Sequence, residues 1–265
     1  MQRIRRPAVA GMFYTARPDE LRAQVAGYIE DAASRTGPDA APPKAIIAPH
    51  AGYIYSGPVA GSAYAQLLGR VPLIHRVVLL GPAHRWPVRG LACPDSDAFD
   101  TPLGRVPVDR DALALIADLP QVQALDAAFD GEHCLEVQLP FLQALLEDFS
   151  VVPLLVGGAG TDAVAEVLER LWGGDETLIV ISSDLSHYLS YDIGRALDER
   201  TSEAICALRP EAITPDQACG RNPIAGLLKQ ARAHGLQGEL LDLRSSGDTA
   251  GPRDRVVGYG AYVFH

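Results

Sequence analysis

Four short apolar runs constrain this chain more than any other feature: 45–48 (AIIA), 76–80 (RVVLL), 151–156 (VVPLLV) and 177–181 (TLIVI). Each stops at or just before Pro, Gly or Ser. A run too short for a helix, and apolar at successive positions, reads as a strand covered on both faces. Between the runs lie segments of helical length. Pro18 opens one with Leu21, Val25, Tyr28 and Ile29 on one side, and a helix rich in small residues, expected to pack closely on the sheet, runs from Pro58 to about 69. Further helices are expected up to about Trp172, over 192–207, and from Pro223 to His234. Strands alternating with helices predict an α/β fold: a single domain over 1–265 with a central mixed, largely parallel sheet flanked by helices. The last two strands, about 238–243 and 255–263, are expected to pair antiparallel.

Smaller signals fill the gaps. Residues 3–14 read as an extended arm, and 34–43, rich in Pro, Gly and Ala, as a loop. Residues 98–108 read as a strand pair turning at Thr101-Pro102-Leu103-Gly104, followed by a helix to about 118 capped by Asp109. Residues 131–136 lead into a helix carrying Leu139, Leu142, Leu145 and Leu146, and Thr161 or Asp162 is expected to cap the next one.

With 265 residues, 48% of them apolar, the chain can bury a substantial core. A net charge of -10 argues against non-specific binding to nucleic acid or acidic membranes. No apolar run reaches membrane-spanning length and the N-terminus lacks a signal-peptide core, so a soluble, cytoplasmic protein is expected. The four cysteines show no CxxC spacing and are expected to be free thiols. Nucleotide-binding motifs, HExxH and GxSxG are all absent. Without that elbow, Ser182 and Ser183 near His187 do not make a serine hydrolase.

Three strand ends carry histidine: His50 after 44–48, His84 after 76–80 and His187 after 177–181, with Asp184 beside the last. The C-terminal ends of parallel strands share one edge, so these residues can converge there. Neutral imidazoles bind transition metals, and a carboxylate or thiolate can complete such a set. Cys219 lies just before the Pro223 helix, where a helix N-terminus favours thiolate. Glu132, His133 and Glu136 form a further cluster. Tyr53, Tyr55, Trp86 and Arg221 are candidates for the rim of a pocket, since aromatics and arginine suit anions and interfaces. Three function classes fit: a metal-dependent redox enzyme, a binding protein that uses a pocket, and a metal-assisted hydrolase with Asp184 or His187 as base.

Several motifs occur together in a recognisable order: Ala10-Gly11 with Phe13-Tyr14, Ala48-Pro49-His50-Ala51-Gly52-Tyr53, Leu80-Gly81-Pro82-Ala83-His84, Thr101-Pro102-Leu103, Glu132-His133 with Glu136, Leu139-Pro140, Ser182-Ser183-Asp184 with His187, and Cys219-Gly220-Arg221. Over essentially its whole length the sequence resembles the Memo-like family, whose bacterial and archaeal members are called system protein B of the AmmeMemoRadiSam group. The resemblance implies a fold similar to class III extradiol dioxygenases and a metal site of His50, His84 and Cys219. Asp184, His187 and His133 would be the acid–base groups, with Tyr53, Glu132, Glu136 and Arg221 around them. It implies iron or copper as cofactor. It also implies a small-molecule or peptide ligand, or a radical-SAM partner, rather than nucleic acid or membrane. Two departures stand out: Val9 and Arg85 occupy positions where the animal member has histidine. A third is chemical, because the dioxygenases use a carboxylate where this chain has the Cys219 sulfur.

Overall fold

A computed structural model describes residues 2–34, 43–69 and 71–265. The four apolar runs lie side by side in it as parallel strands, in the order Ala45–Ala48, Thr177–Ser182, Arg76–Pro82, Ser150–Val156. Every residue of the first two is buried, which explains why neither alternates apolar with polar side chains. Register brings Ala48 opposite Ser182, and Leu80 opposite Ile181. The residues that follow each strand therefore emerge together at one edge.

Antiparallel strands flank this parallel centre and make it a mixed sheet of nine strands. On one side Val256–Phe264 pairs with 45–48, and both Gly238–Ser245 and His187–Leu189 pair with it in turn. On the other side Leu91–Cys93 runs antiparallel to 150–156, and Val122–Ala124 lies parallel to it at the outer edge. The closing pair is antiparallel as expected. The three-residue strands at 91, 122 and 187 carry too few residues to show a period. A second, three-stranded sheet joins Ile4–Arg5 to the hairpin Ala98–Thr101 and Gly104–Pro107, so the N-terminal arm is docked rather than free.

Helix Pro18–Ala33 buries Leu21, Val25, Ile29 and Ala32, the first three contributing about 1.5–3 kcal/mol each. The next helix is Tyr53–Tyr64, and it starts five residues before Pro58. Two bonds fix the earlier start: Tyr53 N–H donates to the Phe13 carbonyl at 2.8 Å, and Ser56 Oγ donates to the Ala51 carbonyl at 2.8 Å. Pro58 then removes only one bond of the helical ladder. Gly57 and Gly61 serve a helix rather than the sheet. A Cβ at either would sit 2.4 Å from Tyr28, on its ring and its carbonyl oxygen respectively.

Two capping expectations divide. Asp109 does cap its helix, accepting from the Ala112 N–H at 2.8 Å, although that helix ends at Ala114. Thr161 and Asp162 do not cap theirs; Gly160 holds the cap position without a side-chain bond, and the helix ends at Arg170. Most of the loop expected at 34–43 lies outside the described residues. Among the described residues, no helix is long and apolar enough to cross a membrane.

Candidate metal centre

The shared strand edge carries the chemistry. His50 follows 45–48, Asp184 follows 177–182, and His84 follows 76–82, in that spatial order. His133 comes from elsewhere, on the turn between Phe129 and the 3₁₀ segment Glu136–Gln138. Gly81 lets that turn approach, because a Cβ there would lie 2.7 Å from Cys134 Sγ. Donor atoms of His50, His84 and His133 all fall within 4.8 Å of one another. The His84 and His133 rings stack with centroids 5.0 Å apart, and His50 stands edge-on to both.

The rings of His50, His84 and His187 are each held by one nitrogen. Ser182 Oγ donates its one proton to the Cys134 carbonyl at 2.6 Å and accepts from Gln138 Nε2 at 2.8 Å. Its remaining lone pair faces His50 Nδ1 at 2.9 Å, so that nitrogen must carry the proton. Gln138 is satisfied in turn by the Pro49 carbonyl and the Tyr64 hydroxyl, which fixes which end of its amide points at Ser182. His84 Nδ1 lies 2.9 Å from Glu132 Oε1. His187 Nδ1 lies 2.8 Å from the Leu185 carbonyl. Both partners only accept, so in all three rings Nδ1 is the N–H and Nε2 keeps its lone pair, which in His50 faces Cys219 Sγ.

Burial, reinforced by the nearby His84 ring, holds His50 down at about 3. Burial and the His50 ring hold His133 at about 4. These two imidazoles are therefore neutral at ordinary pH. For Glu132 burial alone would raise the carboxyl. The His84 side chain, the His84 N–H and the Cys134 N–H prevail, and hold it at about 2. Asp184 is raised, because burial dominates and the His50 N–H, at 2.7 Å, compensates only in part.

Cys219 lies behind His50, with Sγ 3.3 Å from His50 Nε2. A tetrahedral ion bound at about 2.0–2.3 Å holds its donors roughly 3.3–3.7 Å apart, so this pair already has ligand spacing. Cys219 joins no three-donor group among the described residues, however, and the expected set of His50, His84 and Cys219 is not assembled as such. The thiolate expected there is disfavoured by its surroundings. Burial, then the charge of Asp184, pushes the Cys219 thiol up to about 12, outweighing the helix that begins at Arg221.

His50, His84, His133, Asp184 and His187 line one cavity of about 890 Å³, and Tyr55 forms part of its wall. Other expected residues serve elsewhere. Glu136 accepts from the Ala8 and Val9 N–H groups and the Tyr14 hydroxyl, anchoring the N-terminal arm. Tyr53 is buried with its hydroxyl on the Val137 carbonyl, and Arg221 is turned to the Ile213 carbonyl at 2.7 Å. Trp86 is exposed and is not part of the cavity wall. Sequence reasoning missed Gln138 and the orienting role of Ser182. Their signal was a polar residue set against an apolar run.

The family model described as Memo-like protein matches residues 5–263. The chain belongs to the Memo-like family. It is 37% identical over 282 residues to a MEMO1 family protein of Aeropyrum pernix, covering 98% of this chain and 99% of the relative. A MEMO1 family protein of Archaeoglobus fulgidus is 36% identical over 278 residues, at 98% and 99% coverage. One of Aquifex aeolicus is 35% identical over 275 residues, covering 99% of each chain. Membership thus extends over the whole sheet and every residue of the site.

Proposed function

We propose that this Memo-like protein holds a single transition-metal ion on His50, His84 and His133, and uses it in redox chemistry on a ligand in the adjoining cavity. The observation that carries the reading is the hydrogen bonding of Nδ1 in His50 and His84, which turns their Nε2 atoms towards His133 and a common point. Such a donor set fits iron, copper or zinc and not magnesium or calcium. Iron or copper would supply Lewis acidity and one-electron redox capacity there. A fold similar to class III extradiol dioxygenases is part of this reading.

The protein's own residues have distinct tasks. Glu132 and Ser182 orient the histidines. Asp184 sets a buried carboxyl, which burial biases towards its neutral form, with Oδ2 3.9 Å from His50 Nε2. His187, with Nε2 free on the cavity wall, accepts a proton from a ligand. A second set of ligands, with Cys219 replacing His133, is supported by the 3.3 Å approach of Sγ to His50 Nε2.

Cobalt(II) titration separates the two sets. With three histidines, His50 and His133 release no proton on binding above about pH 5, since both rings are already neutral, and no thiolate band appears. His133→Ala should then weaken binding on the order of tenfold or more, while Cys219→Ala leaves it nearly unchanged. With Cys219 as ligand, one proton is released and a thiolate charge-transfer band appears. Unchanged metal content in both His50→Ala and His84→Ala would sink the metal reading.

A further inference from the structure

The mouth of the cavity has a charge that the metal centre does not explain. Arg85 and Arg255 line it, and neither guanidinium has a carboxylate or hydrogen-bond partner among the described residues. Among the described residues, the only acidic one on the wall is Asp184, which is buried and biased towards its neutral form. A positive mouth on a chain of net charge -10 is a local arrangement, not a consequence of composition.

Both arginines are placed by backbone features. Arg85 follows His84 directly and lies against Gly131, where an added Cβ would stand 3.3 Å from Nη1. Gly131 has φ +68, a conformation that favours glycine and keeps that contact open. Arg255 immediately precedes Val256–Phe264, whose partner strand begins at His187. Its guanidinium lies 5.1 Å from the Tyr188 ring centroid. Tyr188 adopts φ 60, a left-handed conformation that costs a non-glycine residue energy. The turn thus presents an exposed ring beside His187, and that ring supports the arginine.

We propose that Arg85 and Arg255 select a small organic oxyanion, a carboxylate or a phosphate monoester, whose other end reaches the histidines. The guanidinium fork matches both groups, and cation–π contact with Tyr188 restrains one fork in advance. Phe13, Tyr55 and Tyr259 line the same cavity, so the body of the ligand is apolar or aromatic. At about 890 Å³ the cavity lies within the roughly 300–1,000 Å³ of small-molecule sites, which favours a metabolite over a folded partner. The inner end of the ligand rests on the proposed metal reading; the anion preference does not.

Calorimetric titration of metal-free and zinc-loaded protein tests this. Catechol is compared with 3,4-dihydroxybenzoate, which adds only a carboxylate, and phenol with phenyl phosphate, which adds only a phosphate. One anionic member should bind on the order of tenfold tighter than its neutral partner, in both forms of the protein. The larger gain names the group. Arg85→Ala with Arg255→Ala should remove the gain, and Arg255→Lys should restore only part of it, with unchanged thermal melting throughout. No gain in wild type, a gain that survives the double substitution, or no binding of any probe overturns the proposal. Unchanged zinc content in both His50→Ala and His84→Ala would instead overturn the metal reading, and the metal-free titrations alone would then decide the anion preference.

Discussion

Two buried carboxylates stand beside the histidines and behave in opposite ways. Glu132 accepts four N–H groups: His84 N and Nδ1, His133 N and Cys134 N, at 2.7–3.1 Å. Asp184 accepts one, from His50 N. Burial acts on both in the same direction. The number of donors decides the outcome, holding Glu132 at about 2 and leaving Asp184 above its ordinary value. The 132–134 turn is therefore a fixed anion that orients rings. The 184–187 turn holds a carboxyl that can exchange a proton at the cavity.

The largest effect should come from breaking the first turn. Glu132→Gln puts an amide donor among four donors, so it should destabilise the fold by several kcal/mol and lower metal affinity roughly 10–100-fold. Urea denaturation and metal titration measure these losses. The pH dependence has a definite sign. A folded value below the unfolded one stabilises above about pH 4.5, and that stability, about 3 kcal/mol, is lost as pH falls towards about 2. Glu132→Gln should flatten that slope; an unchanged acid transition would show that the turn is not a fixed anion.

Two glycines give a sharper, intermediate test. Gly81→Ala would press Cys134 and Leu135, displacing the 132–134 turn, whereas Gly220→Ala would meet Ser183 Cβ at 2.6 Å and displace Cys219. Each should cost about 1–3 kcal/mol by overpacking. Only Gly81→Ala should impair metal binding if His133 is the third ligand. The reverse result would assign that place to Cys219.

The smallest effect on stability should come from Asp184→Asn. The amide oxygen can still accept from His50 N, and the charge that burial disfavours is gone. A folded value above the unfolded one means stability is greatest at low pH and declines as pH rises through that range, so the variant should be no less stable than wild type at pH 8. Thermal melts at pH 5 and pH 8 measure this. A destabilised variant at pH 8 would show that Asp184 is a structural anion like Glu132.

The sequence by itself made the largely parallel centre legible, because the apolar stretches within 45–48, 76–80, 151–156 and 177–181 suit strands covered on both faces. It also allowed His50, Asp184 and His84 to meet, since parallel strands deliver their following residues to one edge; the strand order that makes them neighbours belongs to the fold. Helix starts were less legible. Pro58 marked the wrong boundary because the bond that starts the helix comes from Phe13, forty residues away. The tertiary structure alone decided the rest of the site. His133 and Glu132 reach it on a turn with no strand of its own, admitted by the missing side chain of Gly81. Gln138 and Ser182 fix a tautomer through a chain of partners that no spacing encodes. Whether a carboxyl is a permanent anion or a proton carrier depends on how many N–H groups surround it. Those groups come from backbone distant in sequence, which is why Glu132 and Asp184 look alike in the sequence and differ in the fold.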